Sequence, residues 1–150
     1  MSETNRPGTS AELPPDLTAL RSLLERSAVQ RLTATNWFPP FAVAMQSDGN
    51  IVDYSASLPA EQATPETIYN VLVQGLTTGA RQGRFRAAAL CHGVAMKDSG
   101  HHAIRMVLEQ RDGTALQVIA PYVKHVGGKP TLQAATVTAA KAVVFADHEF

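Results

Sequence analysis

The chain has 150 residues, 45% of them hydrophobic and 17% charged, and its thirteen basic side chains cancel its thirteen acidic ones. That length matches one domain that buries roughly 70% of the surface its unfolded form exposes, and a charged fraction below the usual ~25% excludes wholesale disorder. No stretch concentrates Lys and Arg as a nucleic-acid face requires, and the apolar runs at residues 71–73 and 87–91 fall far short of the ~20 residues that cross a bilayer, so neither nucleic acid nor membrane is an expected partner.

The first fourteen residues carry Ser, Thr, Gly and Pro with little apolar surface to offset ordering entropy, and they read as a disordered tail ahead of a single domain over residues 15–150. They contain no basic region followed by an apolar stretch, as a signal peptide would, and a lone Cys91 cannot close an internal disulfide. A cytoplasmic location is the expectation.

From Pro15 onward Leu17, Leu20, Leu24, Ala28 and Leu32 recur at spacings of three and four, the stripe of an amphipathic helix that ends near residues 33–36. The Trp37-Phe38-Pro39-Pro40 connector follows, since two prolines forbid helix continuation and central-strand pairing. Residues 41–46 and 51–55 flank Ser47-Asp48-Gly49-Asn50 and predict a hairpin, with Asp-Gly supplying positive φ. Thr64-Pro65-Glu66 then orders a hydroxyl N-cap, a first-turn proline and a carboxylate suited to a helix start. That helix carries Ile68, Val71, Leu72, Gly75, Leu76 and Gly79 on its apolar stripe, and Gly83 supplies its left-handed stop.

Residues 84–97, 103–111 and 115–124 read as three strands joined by Asp98-Ser99-Gly100 and Asp112-Gly113 turns, hence a meander. In the middle strand Ile104, Met106 and Leu108 face one way, while Arg105, Val107, Glu109 and Arg111 face the other, which predicts one face that is wet or covered by a partner. The small side chains Ala87, Ala88 and Ala89 predict close approach by the second helix. A flexible turn is expected at residues 125–130, and residues 134–144 suit either a short helix or a last edge strand. The fold class is therefore α+β: a five-stranded antiparallel sheet of hairpin, helix and three-strand meander, with one long helix packed on a face and an additional N-terminal helix.

Four constellations carry chemistry in principle. Thiolate and imidazole are zinc ligands, so Cys91 and His92 on one strand with His101 and His102 on the next form a candidate metal set; neither Cys-x-x-Cys nor His-Glu-x-x-His is present, and neither a metal nor a cofactor is expected. A Cys91 nucleophile beside a histidine is a second, set against the apolar alanine neighbours that would leave its thiol inert. Cys91, His92 and Tyr122 also suit the lining of a ligand pocket between helix and sheet. The third is a charged surface of Arg84, Arg86, Arg105, Glu109 and Arg111, whose plain alternative is cross-strand ion pairing on a solvated face. The fourth is Trp37, Phe38 and Phe41, either an exposed aromatic anchor or a plug joining the first helix to the sheet.

Taken in order over residues 16–124, the helix, the Asp48-Gly49 hairpin, the Thr64-Pro65-Glu66 helix and the Asp112-Gly113 hairpin form a layout that resembles the roadblock/longin and profilin-like domains. The stretches RFRAAALCHGVAM (residues 84–96) and HHAIRMVLEQRDG (residues 101–113) are similar to a group of small bacterial proteins of unassigned function. Roadblock-type proteins act as dimeric scaffolds or regulators, so the resemblance implies a non-enzymatic interaction or regulatory module, forming a homodimer or binding another protein, with no site residue carried over. The rivals are a small-molecule-binding domain or small enzyme with a pocket near Cys91 and His92, and a metal-binding protein using His92, His101 and His102.

Overall fold

The computed structural model describes residues 13–56, 58–96, 101–124 and 128–146. The chain runs α1 (Pro15–Ala34), β1 (Phe41–Gln46), β2 (Ile51–Tyr54), a 3-10 turn (Ala60–Gln62), α2 (Pro65–Arg81), β3 (Phe85–Ala95), β4 (His102–Gln110), β5 (Ala115–Lys124), β6 (Pro130–Leu132) and β7 (Thr136–Ala139). All pairings are antiparallel, in the order β2-β1-β3-β4-β5-β6, with β7 also on β5. The α+β class and the hairpin, helix, meander order are as expected. The strand count is not: the sheet has seven strands, because residues after 128 add two short ones where a helix was the alternative.

Proline explains why those two strands are separate. Pro121 lies inside β5, and its carbonyl accepts from Gln133 N at 2.8 Å on the outer edge. Backbone N and O of one strand residue point to the same side, so the donor that proline lacks also falls on that edge. It falls in the gap between β6, paired to Tyr122–Lys124, and β7, paired to Leu116–Ile119.

Two helices cover opposite faces of the sheet. Leu17, Leu20, Leu24, Ala28 and Leu32 of α1 pack on Val43 and Met45 of β1, Ala87, Ala89 and Cys91 of β3, and Ile104, Met106 and Leu108 of β4. Ala89 pairs in register with Val43 on one side and Leu108 on the other, so small side chains on β3 form a trough between larger ones, and the leucines of α1 fill it. Burying each leucine contributes roughly 1.5–3 kcal/mol. The second helix does not lie over Ala87 and Ala89; α1 does.

The opposite face buries Ala42, Ala44, Phe85, Ala88 and Leu90 under Leu72 and Leu76 of α2 and under the C-terminal residues Val144 and Phe145. This corrects in part the expectation of a wet or partner-covered face: Val107 and Glu109 are buried by the chain itself, while Arg105 and Arg111 keep contact with solvent. The glycines of α2 admit aromatic rings rather than sheet backbone, since a methyl at Gly75 would overlap the Tyr54 ring and one at Gly79 the Phe85 ring.

Local chemistry sets the ends of these elements as anticipated. Thr64 Oγ1 accepts from Thr67 N at 3.2 Å to cap α2, and Gly83 follows the helix at φ 76°. Gly49 and Gly113 take φ of 93° and 95° in the two hairpin turns, each beside an aspartate that accepts from the backbone two residues on at 2.9 Å. The expected Asp98-Ser99-Gly100 turn, the turn at residues 125–127 and the tail over residues 1–12 lie outside the described residues. Among the described residues, no helix is long and apolar enough to cross a membrane.

Candidate functional site

Adjacent strand residues face opposite ways, and this separates most of the residues singled out in the sequence. Cys91 lies under α1, fully buried, and burial pushes its thiol far above the ordinary range, with Arg31 opposing weakly. His92 lies on the α2 face. Tyr122 is on the α1 face at the far end of β5, where its ring stacks on His102 at 6.2 Å and burial raises its pKa. Cys91, His92 and Tyr122 therefore do not form one site. His102 pairs with Ala95 and His92 with Arg105, which puts the two histidines on opposite faces, and among the described residues no three His, Cys, Asp or Glu side chains gather as metal ligands.

The charged set is dispersed as well. Arg86 donates to both carboxylate oxygens of Asp16 at 3.1 and 3.2 Å, tying the start of α1 to the sheet. Arg111 donates to the Phe85 carbonyl at 2.9 Å. The Arg84 guanidinium lies over the Phe85 ring, 5.1 Å from its centre. Glu109, 2% exposed, accepts from the backbone N–H groups of Val143 and Phe145. Arg84 and Arg111 are exposed at the surface, whereas Arg105, partly buried, faces a concave space on the α2 side.

That space is a cleft of about 300 Å³ on the α2 face, bounded by the connector, the start of α2 and the ends of β3 and β4. Its walls are Trp37, Phe38, Pro40, Pro65 and Tyr69; its polar groups are Glu66, Asn70, His92 and Arg105. The capped start of α2 puts Glu66, Tyr69 and Asn70, at spacings of three and four, on one helical face toward it. The connector is held by Lys124, whose ammonium donates to Thr35 O at 2.9 Å and Asn36 Oδ1 at 2.8 Å. Of the three aromatics near the prolines, Phe38 and Phe41 are core, edge to face at 5.5 Å, whereas Trp37 is 58% exposed on the cleft wall.

Arg105 is aimed by neutral partners. Nε donates to Gln117 Oε1 at 2.6 Å, and Nη1 lies 3.1 Å from His92 Nε2. An arginine always donates, so His92 Nε2 accepts and its proton sits on Nδ1, 3.2 Å from the Gly93 carbonyl. Burial lowers the His92 pKa, the Gly93 bond opposes this, and the Arg105 charge lowers it further, so the ring is held neutral. Tyr69 meets that ring edge to face at 5.3 Å. Three of five guanidinium N–H groups have no acceptor, and the charge has no carboxylate partner, among the described residues.

A larger groove of about 650 Å³ runs along α1 past Leu23, Glu25, Arg26, Asp53 and Lys129. It has no aromatic wall, and its charges stand on an open surface of both signs. Sequence reasoning placed His92 and Arg105 among the candidates but in separate sets, and it missed Glu66, Tyr69 and Asn70 as lining. Their shared helical spacing after a strong N-cap was the available signal.

Comparison with protein-family models, with curated proteins and with solved structures finds no match to this chain.

Proposed function

We propose that the chain is a non-enzymatic binding domain for a small organic molecule, seated in the cleft between Trp37, the start of α2 and Arg105. The observation that carries this reading is Arg105: a half-buried guanidinium fixed by two neutral acceptors, uncompensated among the described residues, in an aromatic-walled cleft. Apolar concavities with a few converging polar groups are the usual form of ligand sites, and about 300 Å³ is at the small end of their range. The thiol is not part of this cleft: Cys91 lies on the other face, buried under α1 with its pKa pushed up. We read a cleft of this kind as a binding site.

The test is an amide NMR titration with single-ring carboxylates, amines and neutral amides up to millimolar concentration. Shifts clustered at Tyr69, Asn70 and Gly93, and weakened in Arg105→Gln, are expected. Shifts scattered over the surface, or none, would end this reading.

A second reading, association with another copy of the chain, is favoured by the outer side of β2, an edge strand with no neighbour among the described residues. Sedimentation at micromolar concentration distinguishes it: a mass of one chain removes it, and a mass of two that Asp53→Pro reduces to one supports it.

A further inference from the structure

We infer that the ligand of this cleft is a small zwitterion of the α-amino-acid type, with its carboxylate on Arg105, its ammonium toward Glu66 and an apolar side group against Trp37 and Tyr69. This rests on the cleft being the binding site. Among the described residues two formal charges line it, Arg105 at the sheet and Glu66 at the exposed helix start; they are opposite in sign, and neither has an ion-pair partner among those residues. His92 is held neutral as an acceptor to Arg105 and adds no charge. A ligand of net charge zero with separated ends leaves neither group unmatched, whereas a dianion such as phosphate gains from Arg105 and is repelled by Glu66.

Size and wall chemistry agree. An apolar cavity of about 150 Å³ holds benzene, so about 300 Å³ has room for one ring or a branched aliphatic group together with a short polar part. A planar carboxylate accepts two of the three free Arg105 donors side by side.

Two matched series test this, each read by fluorescence of Trp37, the single tryptophan, and by amide NMR. They are L-phenylalanine with hydrocinnamate and phenethylamine, and L-leucine with isocaproate and isoamylamine. In at least one series the amino acid is expected to bind at least about fivefold more tightly than the acid and about tenfold more tightly than the amine. Arg105→Gln should weaken the amino acid roughly tenfold or more, and Glu66→Gln, at an exposed position in the first turn of α2, about two- to fivefold.

An acid or amine that binds in the cleft as well as its parent amino acid would overturn the zwitterion while leaving a small-molecule site. Silence of both series, with other fragments shifting Tyr69 and Asn70, would do the same. Silence of every fragment would remove both inferences.

Discussion

The backbone N–H of Val143 donates to both carboxylate oxygens of Glu109, at 3.0 and 3.1 Å, and Phe145 N adds a third bond at 3.1 Å. A buried anion on β4 thus anchors the C-terminal turn that seats Val144 and Phe145 beside α2. Both N–H groups share Oε1, so Glu109→Gln can keep that acceptor, but it removes the charge and sets an amide donor against Val143 N where Oε2 stood. It should lower unfolding stability by about 1–2 kcal/mol in urea denaturation, the difference between hydrogen bonds to a charged and to a neutral acceptor. A loss below about 0.5 kcal/mol would show that the turn is not held this way.

Gly79 meets the buried Phe85 ring and Gly75 the partly exposed Tyr54 ring. Alanine at either position gains about 1 kcal/mol of helix propensity, but overpacking costs 1–3 kcal/mol where the neighbour cannot yield. Gly79→Ala should therefore destabilise by about 1–2 kcal/mol and Gly75→Ala by less, as Tyr54 has room to swing outward. Thermal unfolding of both, of Phe85→Leu and of Gly79→Ala combined with Phe85→Leu checks the origin: the double variant should lose clearly less than the sum of its two single changes.

The lowered pKa of His92 has a pH consequence with a definite sign. Its folded pKa is below the unfolded value of 6.5, so the unfolded state binds more protons in between, and stability rises with pH across that window. The contribution is complete above about pH 6.5 and is lost as pH falls toward the folded pKa. Between pH 7.5 and 5.5, about one unit either side of the ordinary histidine pKa, wild type should lose more stability than His92→Gln. Equal losses in paired denaturation curves would exclude His92 as the titrating group.

Cys91 should be inert in the native protein, because its sulfur is buried under α1 and its thiol is held protonated. Reaction with a thiol reagent at neutral pH should be at least about 100-fold slower than in the unfolded chain and should accelerate with denaturant. Rapid native modification would mean that α1 opens readily from the sheet.

Element types and many of their ends were legible locally. Asp48-Gly49 and Asp112-Gly113 need nothing beyond their own φ and side-chain acceptors to make turns, and Thr64-Pro65 starts α2 by the same local logic. The stripe from Leu17 to Leu32 likewise specified both a helix and its buried face. The short strands after residue 128 were not legible, since Ala, Thr and Val there suit two structures and only the free edge of β5 decides between them.

The cleft lies mostly on the second side of that boundary. Charge balance, the lone thiol and the opposite facing of Cys91 and His92 follow from the sequence, because they depend on composition and on the two-residue period of a strand. That Glu109 becomes a buried anchor while Arg105, four residues earlier on the same face, lines a cleft without a carboxylate partner among the described residues does not follow from it. The period gives both the same side of β4, and only the docking of the C-terminal turn over one and the gap beside α2 over the other separates their fates.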